Sequence, residues 1–251
     1  MKIEKYKKLT NGMYQVFFDN YDNVILHEDV ILKYELLIKK EIDEKSLENI
    51  INENNKYIGI DFAMKYLAKK MRSIKEIDDY LKKNNIDKNT REDIISILKK
   101  NNYLNDLEYS KAFINDKIIL SNDGPNKIKT KLMELGVDKD IVDESILIFS
   151  DELQIEKINK ISNKLINVNK TKSSNMLKNK IIDYLYRLGY SKEIINKCID
   201  DISFKDDDNI IKKEYDKIYK KLSKKYSGNE LDYKIKQKMY DLGFYNYEDM
   251  I

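Results

Sequence analysis

The 251-residue chain has very few of the residues that build disulfide frameworks and histidine sites: it contains one cysteine, one proline and one histidine. A single cysteine, Cys198, excludes an internal disulfide and leads us to expect a cytoplasmic protein. Cys198 falls on an apolar helix face, which favours a small buried side chain over a nucleophile. With His27 alone, neither a histidine-based catalytic triad nor a histidine metal cluster can form.

Other absences narrow the class further. No apolar run approaches the length of a membrane span, and the opening residues do not resemble a signal peptide. There is no glycine-rich phosphate loop, since Gly124 stands alone. Acidic clusters occur at 78–79, 200–201 and 206–208, and the last is better explained by negative charge at a helix start than by a metal site. We therefore expect a protein that is not an enzyme and holds no metal or cofactor.

Four helix-ending signals recur in one register along the chain. Each consists of an apolar residue, a second one four residues later, Gly or Asn after four more, and then an apolar residue. The Gly or Asn positions, 51, 53 and 54 residues apart, are Asn85, Gly136, Gly189 and Gly243. These residue types tolerate the left-handed conformation that ends a helix, and the even spacing is typical of tandem repeats. Valine at Gly136 or Gly189 should destabilise the fold, and asparagine should be tolerated better.

Apolar spacing and start signals fill each repeat with three helices. In the first, helices are predicted near 60–71, from Ser73 to Asn85, and around Ile94 to Leu98, and Ser73 and Glu76 form a capping box. In the second, Asn105 caps one helix and Gly124-Pro125 starts the next. The predicted segments are 1–57, 58–105, 106–150, 151–205 and 206–251, of which the last is a truncated repeat. The predicted fold is mainly α, an elongated curved array of three-helix repeats.

The first 57 residues have a different pattern. Three short runs rich in Tyr, Val, Ile and Phe cover 2–9, 13–18 and 24–27, and Asn11-Gly12 between the first two is a strong hairpin signal. We predict a small antiparallel β ribbon followed by helices near 28–38 and 44–54. So small a ribbon needs a packing partner, which the first helices would supply.

Basic charge is concentrated in two of the repeats. The segments 58–105 and 151–205 each carry a net charge of +4, against +3 for the whole chain. A solvated lysine-rich face is the plain alternative, because Lys, Asn, Ile and Tyr are plentiful as in proteins of AT-rich genomes. The densest basic cluster nevertheless surrounds Arg72, one of only three arginines in the chain, and a contact with phosphate or carboxylate is predicted there. The predicted partner-binding residues are Lys65, Lys69, Lys70, Arg72, Lys75, Lys117, Lys127 and Lys131.

Two stretches of sequence resemble the RecX family, bacterial regulators of the RecA recombinase. The first is Tyr66-Leu67-Ala68-Lys69-Lys70-Met71-Arg72-Ser73 with Glu76-Ile77 and Tyr80-Leu81. The second is Asn102-Tyr103-Leu104-Asn105-Asp106 with Tyr109, Ala112-Phe113, Lys117, Gly124-Pro125, Ile128, Leu132 and Gly136. In addition, 27–34 resembles the N-terminal segment of the longer members from low-GC Gram-positive bacteria. Lys70 and Lys117 stand where the family pattern leads us to expect arginine, so the charge is kept and bidentate geometry is lost.

The resemblance implies a modulator, inhibitory in direction, of RecA. Such a protein would lie in the groove of the RecA–single-stranded-DNA filament and suppress ATP hydrolysis, co-protease activity and strand exchange in recombination and the SOS response. Its partner would be the RecA filament, with single-stranded DNA contacted indirectly or weakly, no membrane, and a monomeric chain. Two alternatives stay open: a DNA-binding protein that uses its repeats as helix-turn-helix modules, and a helical adaptor for another protein.

Overall fold

The computed structural model of the protein describes residues 1–169, 173–202, 204, 208–245 and 247–250. Over these residues the chain forms three β-strands and twelve α-helices, which confirms the mainly α prediction with an N-terminal β ribbon. None of the described helices is both long enough and apolar enough to cross a membrane. The chain divides into two compact units, residues 1–110 with 132–142 and residues 111–131 with 143–251, and each is described by itself.

The N-terminal strands form an antiparallel sheet in the order β1 (Ile3–Lys8), β2 (Met13–Phe18), β3 (Val24–His27). Asn11 and Gly12 both have positive φ, 58° and 71°, so the predicted Asn-Gly hairpin is confirmed. One face of the sheet packs on the helices that follow it, in a core made of Ile3, Val16, Phe18, Leu26, Val30, Ile31, Leu36, Ile42, Leu47 and Ile50. The ribbon therefore obtains the packing partner that its small size requires.

The helices after the sheet differ from the prediction in two places. Helix α1 (Glu28–Lys33) is shorter than the expected 28–38, because Glu35 adopts a left-handed φ of 54° and the Leu36 amide bonds back to Ile31. Helix α2 (Glu44–Leu67) is continuous where two helices, 44–54 and 60–71, were predicted. Gly59 lies inside it and faces Ile94 and Ile86, so this weak helix former stands where helix α4 (Lys88–Lys100) packs closely. The predicted 57/58 boundary thus falls within a helix, and the five-segment division remains a prediction.

The remaining helices follow the predicted plan of three per repeat, with two in the truncated last repeat. Their bounds are α3 Ile74–Lys83, α4 Lys88–Lys100, α5 Asp106–Leu120, α6 Pro125–Glu134, α7 Lys139–Ser145, α8 Asp151–Val168, α9 Ser174–Arg187, α10 Lys192–Asp200, α11 Asp208–Leu222 and α12 Gly228–Asp241. Short 3-10 turns at Ile146–Ile148 and Tyr247–Met250 follow α7 and α12. The predicted start of the last repeat, Asp206, and its neighbour Asp207 lie outside the described residues. Asp208 is the first residue of α11.

All four predicted helix ends are left-handed caps. Asn85, Gly136, Gly189 and Gly243 have φ of 62°, 83°, 93° and 81°. In each case the next amide bonds to the carbonyl five residues back, as in Ile86 to Leu81 at 3.2 Å and Phe244 to Met239 at 3.0 Å. This is the Schellman arrangement, and the apolar residue after the cap is buried at every site. The repeat inferred from the sequence is therefore present in the backbone.

The three glycine caps also contact the start of the middle helix in the preceding repeat. In the first compact unit the Ser73 hydroxyl donates to Leu135 O at 2.6 Å. In the second unit the Gly124 amide donates to Leu188 O at 2.6 Å, and the Ser173 hydroxyl to Leu242 O at 2.6 Å. The accepting residue immediately precedes the cap glycine each time. One hydrogen-bonded contact thus recurs three times and links successive repeats.

Candidate partner-binding surface

Arg72, the arginine of the predicted basic patch, lies between the end of α2 and the Ser73 cap of α3. Its Nη1 donates to Glu76 at 3.0 Å, and the guanidinium carbon lies 3.8 Å from the centre of the Tyr66 ring. Tyr66 in turn stacks on Tyr80, with 4.1 Å between ring centres. Only 13% of the Arg72 side chain is exposed. The arginine is therefore held inside the protein by a cation–π contact and an ion pair.

Glu76 accepts two further hydrogen bonds, which completes this cluster. The Ser73 amide donates to it at 3.0 Å, closing the predicted capping box, and the Tyr109 hydroxyl donates at 3.1 Å. Burial alone would raise the pKa of Glu76, but the hydrogen bonds from Ser73, Arg72 and Tyr109 outweigh it and lower that pKa. Burial, and then the charge of Glu76, raise the pKa of Tyr109. We call Tyr66, Arg72, Glu76, Tyr80 and Tyr109 the Arg72 cluster.

The amides at the start of α3 are used by the protein itself. The Ile74 amide donates to Asp106 at 2.9 Å, and the Glu76 amide donates to the Ser73 hydroxyl at 3.1 Å. Burial raises the pKa of Asp106 in spite of that bond. An anion that approached this helix start would have to displace these acceptors. Among the basic groups predicted here, the lysines are the ones that the protein leaves at its surface.

The lysines of the patch point outward, unlike Arg72. Lys65, Lys69, Lys70 and Lys75 are all exposed. Lys65 lies 3.5 Å from Asp61, one helical turn away. The other three form no ion pair with any residue that the structure describes, so their ammonium groups are available to phosphate or carboxylate. We call Lys69, Lys70 and Lys75 the lysine triplet.

Two of the three predicted lysines of the second repeat lie beside one carboxylate. Lys127 and Lys117 lie 2.7 Å and 3.5 Å from Asp123, whose side chain is 17% exposed. Burial would raise the pKa of Asp123, but the hydrogen bond from Lys127 and the charges of both lysines lower it. Lys117 also lies over the Phe113 ring. We call Lys117, Asp123 and Lys127 the Asp123 cluster, which carries a net charge of +1. Lys131 is exposed one turn further along α6.

Sequence reasoning missed the residues that orient these basic groups. Tyr109 is 33 positions from Glu76, and no local pattern connects them. Asp123 could have been found, because it lies four residues before Lys127, the spacing at which opposite charges pair on a helix. Asn54 was also missed: it is buried, accepts from the His27 amide at 2.7 Å and donates to Ile25 O at 3.0 Å. It fixes the last strand of the sheet to α2.

Several residues that could carry chemistry have structural surroundings in the described part of the chain. Among the described residues no group of three or more His, Cys, Asp or Glu side chains is placed to hold a metal ion. Cys198 is buried, and burial raises the pKa of its thiol, which suits the predicted core role. In the helix-turn-helix alternative, the third helix of a repeat would read the bases. Helix α7, the third helix of the second repeat, is seven residues long and carries two aspartates and a glutamate. Arg91 on α4 is bound to Asp78 at 2.7 Å and to Ile86 O at 2.9 Å.

Comparisons with known proteins show which sequences and folds this chain resembles. The family model described as the second three-helix domain of RecX matches residues 105–146. The regulatory protein RecX of Lactococcus lactis subsp. cremoris is 33% identical over 99% of this chain and 95% of its own. A crystal structure of a regulatory protein RecX superimposes with a TM-score of 0.68 at 22% identity, over 80% of this chain and 99% of that one. RecX from Lactobacillus salivarius superimposes with a TM-score of 0.58 at 29% identity, over 59% and 96%.

Proposed function

The chain belongs to the RecX family of regulatory proteins, and from that premise we propose that it regulates RecA by binding the RecA–single-stranded-DNA filament. The observation that carries the proposal is the lysine triplet at the α2–α3 junction, three exposed ammonium groups that pair with no described carboxylate. Such groups suit an acidic protein surface or the phosphates of filament-bound DNA.

Regulation, in this proposal, occurs through binding alone. A ligand shifts an equilibrium between two states of its partner only if it binds one of them better. Repeats with separate basic groups, the lysine triplet in one and the Asp123 cluster in the next, supply several weak contacts. Weak contacts made by one chain reinforce each other when their spacing matches that of the partner's subunits. We propose that a filament held in this way hydrolyses less ATP and is less active as a co-protease and in strand exchange.

The test is co-sedimentation and fluorescence anisotropy with RecA filaments on labelled single-stranded DNA, beside naked single- and double-stranded DNA. The double substitution Lys69→Glu, Lys70→Glu should weaken filament binding about tenfold and reduce its salt dependence. Arg72 is left intact, because reversing it would disrupt the Arg72 cluster. The matched control is Lys82→Glu, Lys83→Glu, two exposed lysines in the last turn of α3 that should leave binding within about twofold.

Each outcome separates the proposal from its rivals. Filament-dependent binding that the lysine triplet controls supports it. Equal affinity for naked DNA and for filaments would favour the DNA-binding alternative. Binding to neither would leave an adaptor for another protein as the better reading.

A further inference from the structure

A second surface lies in the compact unit formed by residues 111–131 and 143–251. There the C-terminal end of α5 faces the first turns of α8. The two segments enclose a groove of about 490 Å³. We call it the α5–α8 groove, and it is lined by Ile118, Ile119, Leu120, Ser121, Asn122, Leu153, Glu156, Lys157, Lys160 and Ile161. None of these residues was singled out by the charge pattern of the sequence.

The groove presents large aliphatic side chains to solvent. Ile119 and Leu120 are consecutive and 76% and 81% exposed, and Leu153 across the groove is 38% exposed. Isolated exposed leucines are ordinary on protein surfaces, but a contiguous apolar rim beside a concave surface is typical of an interaction site.

Hydrogen bonds hold this apolar rim in place. The Lys157 ammonium donates to Ser121 O at 2.7 Å and also to Ile118 O. The Ser121 hydroxyl donates to Lys117 O at 3.0 Å and accepts from the Asp123 amide at 3.1 Å. Ile119 and Leu120 therefore lie on a segment anchored on both sides. A rim ordered in advance loses less conformational entropy when a partner binds.

The charges around the groove indicate what it would accept. Lys157 and Lys160 supply two ammonium groups, and Glu156 is the one carboxylate among the lining residues. The ammonium of Lys157 is used on backbone carbonyls, whereas Lys160 forms no ion pair with the residues that the structure describes. A free cation beside an aliphatic floor complements an apolar side chain with a neighbouring carboxylate. Aliphatic side chains provide no aromatic platform for nucleic-acid bases.

We propose that the α5–α8 groove docks an apolar segment of a protein partner that carries a carboxylate beside its apolar side chain. Ile119, Leu120 and Leu153 contact the apolar side chain, and Lys160 pairs with the carboxylate. The inference rests on the proposed function only in taking the RecA filament as the protein that supplies this segment.

The first test uses the full-length chain and RecA filaments on single-stranded DNA. Leu120→Glu and Lys160→Glu should each weaken filament binding about fivefold or more. Two exposed residues of α8 outside the groove provide matched controls, Val168→Glu and Lys164→Glu, which should stay within about twofold. Unchanged melting temperatures would show that all four variants are folded. Filament binding by both groove variants within twofold of the wild type would overturn the proposal.

A second test does not depend on the filament. NMR methyl spectra of the wild type are titrated with the peptide acetyl-Asp-Leu-Asp-Leu-amide, with its lysine counterpart acetyl-Lys-Leu-Lys-Leu-amide, and with oligo(dT). The proposal expects the acidic peptide to shift the methyl signals of Ile119, Leu120 and Leu153, and Lys160→Glu to abolish those shifts. Shifts produced only by oligo(dT), or equally by the lysine peptide, would overturn it. If the filament does not bind but the acidic peptide does, the proposed function fails and the groove assignment stands.

Discussion

The starts of helices α3 and α6 occupy corresponding positions in successive repeats, but the basic residue is buried at the first and exposed at the second. At α3, Arg72 is 13% exposed and its carboxylate partner Glu76 is satisfied by three donors. At α6, Lys127 and Lys117 are 54% and 35% exposed and share Asp123. A planar guanidinium that stacks on Tyr66 can be buried, whereas a strongly hydrated ammonium group stays at the surface. Basic residues that look alike in the sequence are thus divided between the interior and the surface of the protein.

The two sites also differ in how closely the next repeat approaches. A Cβ added at Gly189 would lie 2.6 Å from the Lys127 amide nitrogen, a backbone atom that cannot move away. One added at Gly136 would overlap the side chain of Lys75. At both sites the close contact between repeats therefore requires a residue without a side chain, in addition to one that tolerates a positive φ.

The largest effect is expected from Gly189→Ala. Left-handed strain and the overlap with the Lys127 backbone should together destabilise the protein by about 2–5 kcal/mol in urea unfolding. Gly228→Ala is the matched control, because Gly228 has a φ of +59° and no atom within 4 Å of the added Cβ. In this control only the backbone strain acts, so the free energy of unfolding should fall by about 1–2 kcal/mol. Equal losses in the two variants would contradict the close contact between repeats.

The same contact changes the expectation for asparagine. Asn85 occupies this cap position in the first repeat and is exposed. Asparagine tolerates left-handed geometry but still carries a Cβ, so at Gly189 it would meet the Lys127 backbone as alanine does. Asparagine should still be tolerated better than valine, as the sequence predicts, but at Gly189 it should cost more than its tolerance of left-handed geometry alone indicates.

The next largest effect is expected from Arg72→Ala. It removes the stack on Tyr66 and leaves the half-buried Glu76 without its cation, which should cost about 2–3 kcal/mol in the free energy of unfolding. Arg72→Lys keeps the charge without the planar stack and should cost about 1 kcal/mol. A negligible loss in the alanine variant would mean that the Arg72 cluster does not stabilise the fold.

Acid titration should separate two carboxylates near the start of α3. The folded-state pKa of Glu76 is lowered, so its ionised form stabilises the protein above its ordinary pKa of 4.5. That contribution is lost as the pH falls through the folded pKa, and the stability gap between the wild type and Glu76→Gln should narrow between about pH 5 and pH 3. Unfolding in urea at a series of pH values measures that gap.

Asp106→Asn provides the control of opposite sign. Burial raises the folded-state pKa of Asp106, so its protonated form is favoured in the fold. The wild type should therefore gain stability relative to Asp106→Asn as the pH falls through the raised pKa. The same direction of change in both variants would contradict the assigned environments.

Local features of this fold could be predicted from sequence, and long-range ones could not. The four caps and the Asn11-Gly12 turn were found because a few neighbouring residues determine each. The continuity of α2 was missed, since Gly59 weakens a helix but does not end one when it is packed against Ile94. Tyr109, which comes from another helix, donates to the Glu76 carboxylate that pairs with Arg72. Exposure of Ile119 and Leu120 likewise follows from the packing around α5, which no periodicity reveals.

These long-range contacts also bear on the use of truncated chains. The Gly124 amide bonds to Leu188 O at 2.6 Å, and Phe149 meets Tyr190 edge to face with 6.4 Å between ring centres. Removing the residues after 150 would take away both partners and expose Phe149. Any loss of the proposed RecA binding by such a fragment would reflect local unfolding as much as lost contacts with the partner. Point substitutions in the full-length chain are therefore the sharper test of the basic surface.

The smallest effect on stability is expected from Lys127→Met, the counterpart of the Arg72 substitution. The Lys127 ammonium is half exposed, Asp123 keeps Lys117 as a partner, and methionine retains the Cβ that packs beside Gly189. The free energy of unfolding should therefore change by about 0.5 kcal/mol or less. The affinity for the RecA filament should fall even though the free energy of unfolding hardly changes, because the variant removes a surface charge that the fold does not require. A loss of stability comparable to that of Arg72→Ala, measured in the same urea titration, would show that the Asp123 cluster holds the repeats together as the Arg72 cluster does. The two helix starts would then share one role, which is to stabilise the fold.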